Sequence, residues 1–311
     1  MDFRRLRYFA RVVELGSISQ AAADLNVAQP ALSKSVLALE ADLNTELLRR
    51  SPQGASPTEA GLRLYEHCQV VFNQLERARH DVSETTHSPS GQVTLGIPYS
   101  IAVVILVPLL RATAERLPRV QLQVFQEPRQ LLPDRILSGR LDLAVMVYPN
   151  PHPGISQKAV VTEELSFVRR FDSALRRKSR ITLKEIARQP LILPTRANRL
   201  RFLVESLFLA HALPINVVHE VDAIGQFIDC VEAGLASTIL PAGVTGRAVS
   251  DRRVSTAAIA DASFQRTVSI ARSQTRSLDA AAVHVERLIH TVIQQTVAKK
   301  QWLGATLLNG E

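Results

Sequence analysis

The 311-residue chain is poor in the features that mark several large protein classes. It holds two cysteines, Cys68 and Cys230, far apart and in no C-x-x-C arrangement. That argues against a disulfide framework or a zinc site and fits a reducing cytoplasm. Its most apolar run, 101–110, is broken by Pro108 and falls short of the roughly 20 helical residues that span a bilayer. The first residues, MDFRRLRYF, carry charge where a secretory signal needs an apolar run. A soluble, cytoplasmic protein without a membrane partner is expected. No G-x-S-x-G, G-x-G-x-x-G, P-loop or H-E-x-x-H run occurs. The eight histidines are scattered, and His284 and His290 stand six apart rather than the four that aligns a metal-facing pair on a helix. Neither an enzyme nor a metal or cofactor is expected.

A local excess of positive charge is also missing where the charge total suggests one. The formal net charge is +8, yet residues 1–60 hold seven Lys/Arg against seven acids. Net charge bears on solubility and non-specific association rather than fold, so any nucleic-acid reader must be argued from local pattern.

What the chain does have is a core and strong periodicity. Hydrophobic residues make up 46% and charged residues 21%, and the length suits a small domain followed by a two-lobed one. Leu6, Phe9, Ala10 and Val13 recur at helical spacing up to Gly16. Ser17-Ile18-Ser19-Gln20 reads as a capping box opening a second helix, whose Ile18, Ala21, Ala22 and Leu25 form a small-residue face. Gln29-Pro30 opens a third helix, since proline is tolerated in a first turn. Leu32, Val36, Leu39 and Leu43 form its buried stripe, and Gln29, Ser33, Lys34 and Ser35 its polar face. Two short helices joined by a tight turn, the second presenting polar residues from its first turns, make a helix-turn-helix. Gln, Ser and Lys can read base edges in a major groove. Residues 47–50, a turn at 51–54 and 55–57 read as a two-stranded wing, with Arg49 and Arg50 placed to meet phosphates. By periodicity alone, the same segment is equally a small helical bundle with a solvated face.

The run 16–50, followed by Ser56-Pro57-Thr58-Glu59-Ala60-Gly61, resembles the DNA-binding region of LysR-type transcription regulators. Its alanine pair and its Gln-Pro-Ala-Leu-Ser, Leu-Glu and Thr-Glu-Ala-Gly elements carry the resemblance. Asn44 stands where the family usually has glycine, and Leu48 where phenylalanine is common. Asn tolerates left-handed backbone and Leu substitutes in packing. The resemblance implies that Gln29, Pro30, Ser33 and Lys34 specify bases while Arg49, Arg50 and Thr58 hold the DNA backbone. It also implies double-stranded promoter DNA as partner, a homodimer pairing into a tetramer, RNA polymerase as a further candidate partner, and no cofactor.

From Thr58, a helix N-cap with Glu59 in the first turn, the pattern stays helical to about residue 83. Gly61, Tyr65, Cys68, Phe72, Leu75, Arg79 and Val82 form a heptad seam. With a linker at 85–91 and nothing local to cover that seam, a homodimer contact is expected, and Cys68 reads as a small core residue. The domains expected are a winged helix-turn-helix at 1–58, a linker and dimerisation helix at 59–88, and a two-lobed effector domain at 89–311.

The large C-terminal region alternates strands and helices. Strands at 92–97, 120–126 and 141–147 with helices between them imply an α/β fold with a parallel sheet. A second set has strands at 165–170, 190–193, 215–221 and 237–240, a helix capped by Thr182 with Glu185, and helices at 198–212 and 223–233. A strand at 266–271 and a helix at 277–299 would rejoin the first lobe. Two such lobes resemble the periplasmic-binding-protein-like effector domain of LysR-type regulators. SGQVTLGIP, SGRLDLAVM and ILPTRANRLR look nearest to the nitrogen-assimilation-control and cysteine-regulon branch. A ligand would lie between the lobes, near the carboxyl ends of the strands. By position, Tyr99, Ser100, Ile101, Glu127, Arg129, Tyr148, Thr195, Arg196 and Ile224 face that cleft. Arg129 and Arg196 either clamp an anionic group, or pair with Glu127, Asp134 or Glu220, or lie in solvent. The cluster Arg169, Arg170, Arg176, Arg177, Lys178, Arg180 and the pair Arg252-Arg253 read as solvated surface, with a contact to bent DNA as the lesser alternative. The sensor fold alone would also suit a solute-binding protein of a transport system.

Overall fold

The computed structural model describes residues 1–52, 54–83, 89–148, 151–171, 180–260 and 264–308, without the side chains of 73, 76–77 and 79–83. The chain divides into two units, Met1–Thr85 and Thr86–Glu311.

The first unit opens with α1 (Phe3–Leu15), where Asp2 accepts a hydrogen bond from the Arg5 amide at 2.8 Å. Helix α1 ends at Gly16, which is left-handed at φ 64°. Ser17 caps α2 (Ile18–Asp24) by accepting from the Gln20 amide at 3.3 Å, so the Ser17 half of the expected capping box forms. Helix α3 (Gln29–Leu43) has proline in its first turn and ends at Asn44, left-handed at φ 48°. Ala21, Ala22, Leu32, Val36 and Leu39 are buried, and with Phe9 and Ala10 they form one core. Leu43, expected in that stripe, is 38% exposed, because it lies at the helix end, past the last turn that the core covers. Strands β1 (Leu48–Ser51) and β2 (Gly54–Pro57) pair antiparallel as the wing. Helix α4 (Glu59–Ser83) follows.

The seam of α4 is used differently from the expectation. Cys68 is 1% exposed within the head's own core, and Tyr65 and Phe72 pack against the same cluster. Phe3 and Phe72 meet edge to face at 5.3 Å. The first half of the seam therefore has a local cover, namely α1, and among the described side chains Leu62, Val71 and Leu75 are the exposed apolar residues of α4. The side chains of Arg79 and Val82 and the linker at 84–88 lie outside the described residues.

In the second unit β3 (Gly91–Ile97) pairs parallel with β4 (Val120–Gln126) and β5 (Leu143–Val147). Helix α5 (Tyr99–Arg116) keeps Pro108 inside it. Thr94 and the buried Asp142 tie β3 to β5, with Asp142 Oδ2 accepting from the Thr94 amide and hydroxyl at 2.8 Å each. A short helix, α6 (Leu132–Leu137), packs on this sheet. The chain then runs through β6 (Ile155–Arg170), sixteen residues rather than the six expected. The second lobe is built from β7 (Arg180–Ile181), α7 (Leu183–Ile186), β8 (Leu191–Leu193), α8 (Arg199–Ala210), β9 (Val217–Glu220), α9 (Phe227–Glu232), β10 (Thr238–Pro241), α10 (Ala242–Ser250) and β11 (Val254–Ile259). The Thr182–Glu185 capping box forms in full. Strand β12 (Gln265–Ser273) returns antiparallel between β5 and β6, and α11 (Ala280–Ala298) completes the first lobe's core. Strand β13 (Ala305–Leu307) adds to β6 at Val161–Glu163.

The first half of β6, α10, β11 and β13 escaped the sequence reading for local reasons. A register shift at Val268/Ser269 leaves Val160 and Val161 both buried, and a bulge of that kind erases the alternation that marks a strand. Helix α10 carries two glycines and three β-branched residues, a poor helix former that only packing can hold.

Candidate DNA-reading head and inter-lobe cleft

In the head, the resemblance elements prove to be structural ties that aim the reading helix and the wing. Glu40, from the Leu-Glu element, accepts from the amides of Leu47 and Leu48 at 2.9 and 3.0 Å, and from Arg50 at 2.9 Å. One carboxylate thus fixes the end of α3 to the start of β1. Thr58 donates to the Glu46 carbonyl at 2.7 Å and accepts from the Gly61 amide at 3.0 Å. Its hydroxyl hydrogen is spent inside the head, so Thr58 acts through the cap rather than as a free donor. Gly61 lets α4 lie on the wing, since a Cβ there would stand 2.1 Å from the Leu47 carbonyl oxygen. At the other edge, the Ala55 amide donates to the Gly16 carbonyl at 2.8 Å.

These ties leave the outer side of α3 open. Gln29, Pro30 and Lys34 are exposed and Ser33 is half-buried on the outer side of α3. Part of the head's charge is paired locally. Arg5 pairs with Asp42, Arg11 with Asp24 and Glu14, and Arg50 with Glu40. Lys34 and Arg49, like Arg4 and Arg7 on α1, stand in no ion pair among the described residues, so uncompensated cations sit on α3 and the wing as well as on α1. Arg50 is only partly available for phosphate.

The second unit has a cavity of about 640 Å³ between its lobes, within the range of small-molecule sites. Of the residues expected there, Tyr99, Ser100, Glu127, Arg129, Tyr148 and Ile224 line it. Ile101, Thr195 and Arg196 do not. Ile101 is 0% exposed in the first lobe's core, because the turn of α5 carries it inward while Tyr99 and the buried Ser100 line the cleft. Thr195 binds Asp222 through its hydroxyl and amide at 2.6 and 3.1 Å. Arg196 is 80% exposed, 3.8 Å from Glu205, and the cleft arginine of that segment is Arg199 instead.

The residue that sequence reasoning missed is Arg266. It is 3% exposed and pairs with Glu163, itself 0% exposed, at 2.7 Å from Nε. Its Nη1 donates to Ser100 Oγ at 2.8 Å, and the Gly243 amide donates to Glu163 Oε1 at 2.9 Å. The two charges face each other in register on β12 and β6. This buried chain joins the start of α5 in the first lobe to the start of α10 in the second, under the cleft. A Cβ at Gly243 would meet Glu163 and the Trp302 indole at 2.7 Å each, so only glycine fits. The hint in the sequence was Arg266 at the start of the strand expected at 266–271, since Glu163, beside Glu164, lies outside the strand expected at 165–170.

Arg129 donates from Nε and Nη2 to the carbonyls of Val147 and Tyr148 at 2.9 and 3.0 Å. Burial and the charge of Arg199 push its pKa down. The Tyr148 hydroxyl is buried without a hydrogen-bond partner among the described residues, and burial pushes that phenol up against the pull of Arg266, Arg199 and Arg129. Tyr148 is held left-handed at φ 52°.

Residues 3–62 match the bacterial regulatory helix-turn-helix protein family of lysR type, and residues 86–294 match the LysR substrate binding domain. The chain belongs to the LysR family of transcription regulators. The nitrogen assimilation regulatory protein nac of Escherichia coli (strain K12) is 31% identical over 304 residues, covering 97% of this chain and 99% of nac. The protein of the same name from Klebsiella aerogenes is 30% identical, covering 95% and 96%. The likeness thus lies with the nitrogen-assimilation branch. The crystal structure of full-length CbnR complexed with its target DNA shares the fold at a TM-score of 0.71 and 23% identity, covering 94% of this chain and 99% of that one. These relatives are regulators, which sets aside both the transport-protein alternative and an enzyme. Among the described residues no helix is long and apolar enough to cross a membrane.

Proposed function

We propose that this LysR-type regulator reads promoter DNA through the outer face of α3. Gln29, Pro30, Ser33 and Lys34 contact base edges, and Arg49, with the uncommitted part of Arg50, meets phosphates. The carrying observation is the placement of Lys34 and Arg49, both exposed and in no ion pair among the described residues, on the outer side of α3 and on the adjoining wing. Residues 1–58 act as the reader, and 59–88 as the pairing segment of a cytoplasmic dimer or tetramer. Residues 89–311 sense a small effector held by Tyr99, Ser100, Arg129, Tyr148 and Ile224, with Glu127 on the rim. Effector binding shifts the lobes only by its differential affinity for their two arrangements.

The test is a gel-shift titration of the wild type and a Gln29→Ala/Ser33→Ala double variant on DNA flanking the protein's own gene, at two salt concentrations. Selective, salt-dependent retardation by the wild type is expected. The variant should lose about tenfold or more of its preference for that site, since a good base contact contributes about 1–3 kcal/mol. Equal, weak binding of both proteins to any duplex would sink the specific reading.

A further inference from the structure

The cleft holds three arginines, and two of them lack a counter-charge. Arg129, from the first lobe, uses Nε and Nη2 on backbone carbonyls, which leaves Nη1 for whatever enters. Arg199, at the start of α8 in the second lobe, lies over the Phe202 ring at 4.6 Å. Neither is paired with a carboxylate among the described residues. Of the two carboxylates lining the cavity, Glu127 is neutralised by Arg135 at 3.1 Å, while Asp222 is held by the Thr195 hydroxyl at 2.6 Å and keeps its charge. The third arginine, Arg266, is neutralised by Glu163.

Arg129 and Arg199 bring like charge to one cavity from opposite lobes, against which its lining sets one un-neutralised carboxylate, Asp222, and the excess opposes closure. An anion between them reverses that sign and links the lobes. The walls around them are largely apolar, with Pro98, Val147, Leu200, Ile224 and Pro241, and the volume exceeds what a bare inorganic ion fills. The buried Tyr148 hydroxyl offers a donor beside the same charges. We propose that the cavity takes a small organic acid whose carboxylate bridges Arg129 of the first lobe to Arg199 of the second, its apolar body against Ile224 and Pro241. This rests on the cleft being the effector site and adds the chemical class of the effector. A guanidinium binds a carboxylate through paired N–H donors, and Phe202 holds Arg199 in place for it.

The test is thermal unfolding and calorimetric titration of the whole chain with a panel of two- to eight-carbon mono- and dicarboxylic acids, benzoate included. Each acid is set against its primary amide and amine, with sulfate and phosphate alongside. At least one acid is expected to stabilise the protein and bind it where its amide does not. Arg199→Gln should weaken that acid about tenfold or more, as loss of a charged hydrogen-bond partner does, and Arg199→Lys should restore part of it. Arg199 is exposed, so the variants fold. Stabilisation by amides or amines alone would overturn the acid and keep the cleft as a ligand site. Action by sulfate or phosphate alone, or an Arg199→Gln protein binding the acid as tightly as the wild type, would overturn the bridge. A panel in which nothing binds would overturn both the acid and the effector cleft.

Discussion

The head and the sensor unit use their polar residues in opposite ways. In the head, the ties that seat the wing lie close in sequence, although Arg5 and Asp42 meet across 37 residues. Glu40 reaches Leu47, Leu48 and Arg50, seven to ten residues on, and Thr58 reaches Gly61 and Glu46. In the sensor unit the decisive polar chain draws on positions far apart. Glu163 and Arg266 are separated by 103 residues, Ser100 and Arg266 by 166, and Glu163 and Gly243 by 80. Local ties leave a signature in the sequence, and distant ones do not.

The contrast can be broken most directly at Glu163. Glu163→Ala strands a buried guanidinium and should cost about 3–5 kcal/mol in urea unfolding of the whole chain. Replacing Glu163 and Arg266 together by leucine should recover much of that loss, because no unpaired charge remains. A Glu163→Ala protein as stable as the wild type would show that the chain between the lobes carries no weight.

A smaller effect is expected in the head from Gly61→Ala. Its new methyl would meet the Leu47 carbonyl, so α4 and the wing must separate, costing about 1–3 kcal/mol as overpacking does. Because the wing moves, DNA retention in a gel should fall further than stability. Retention equal to the wild type's would mean that the wing's seat on α4 does not aim it.

The smallest expected effect is an absence of reaction. Burial pushes the Cys68 thiol up to about 11, so at pH 8 only about a thousandth is the reactive thiolate. Maleimide should therefore leave Cys68 unmodified in the folded protein, while the half-buried Cys230 reacts. Rapid labelling of Cys68, read by mass spectrometry of its peptide, would mean that α4 lifts off α1 in solution and is free for the partner-covered seam first expected.

The head was legible almost throughout. Gly16, Ser17, Pro30 and Asn44 punctuate its helices through backbone rules that act within a turn, and the buried stripes follow a single period. The sensor's first three strands were equally legible, because each is a short apolar run between turns. Legibility failed at β6, whose bulge hides its period, and at α10, whose composition opposes its conformation. The same failure reached the cleft. Arg129 lines it as its position predicts, but the second lobe's cleft arginine is Arg199 rather than Arg196, since only the turn into α8 decides which of the two lines the cavity.

The sequence by itself determined the family, the helix-turn-helix, the order of the α/β elements and the residues that face outward from α3. Those depend on short-range periodicity, caps and turns, each written within about ten residues. Only the tertiary structure decided that α1 covers the seam of α4, that Thr58 is spent on a cap, and that Glu163, Arg266, Ser100 and Gly243 form one buried chain. The physical reason is distance along the chain. A buried charge is tolerable only where its counter-charge arrives, and nothing local to Arg266 says that Glu163 will be there.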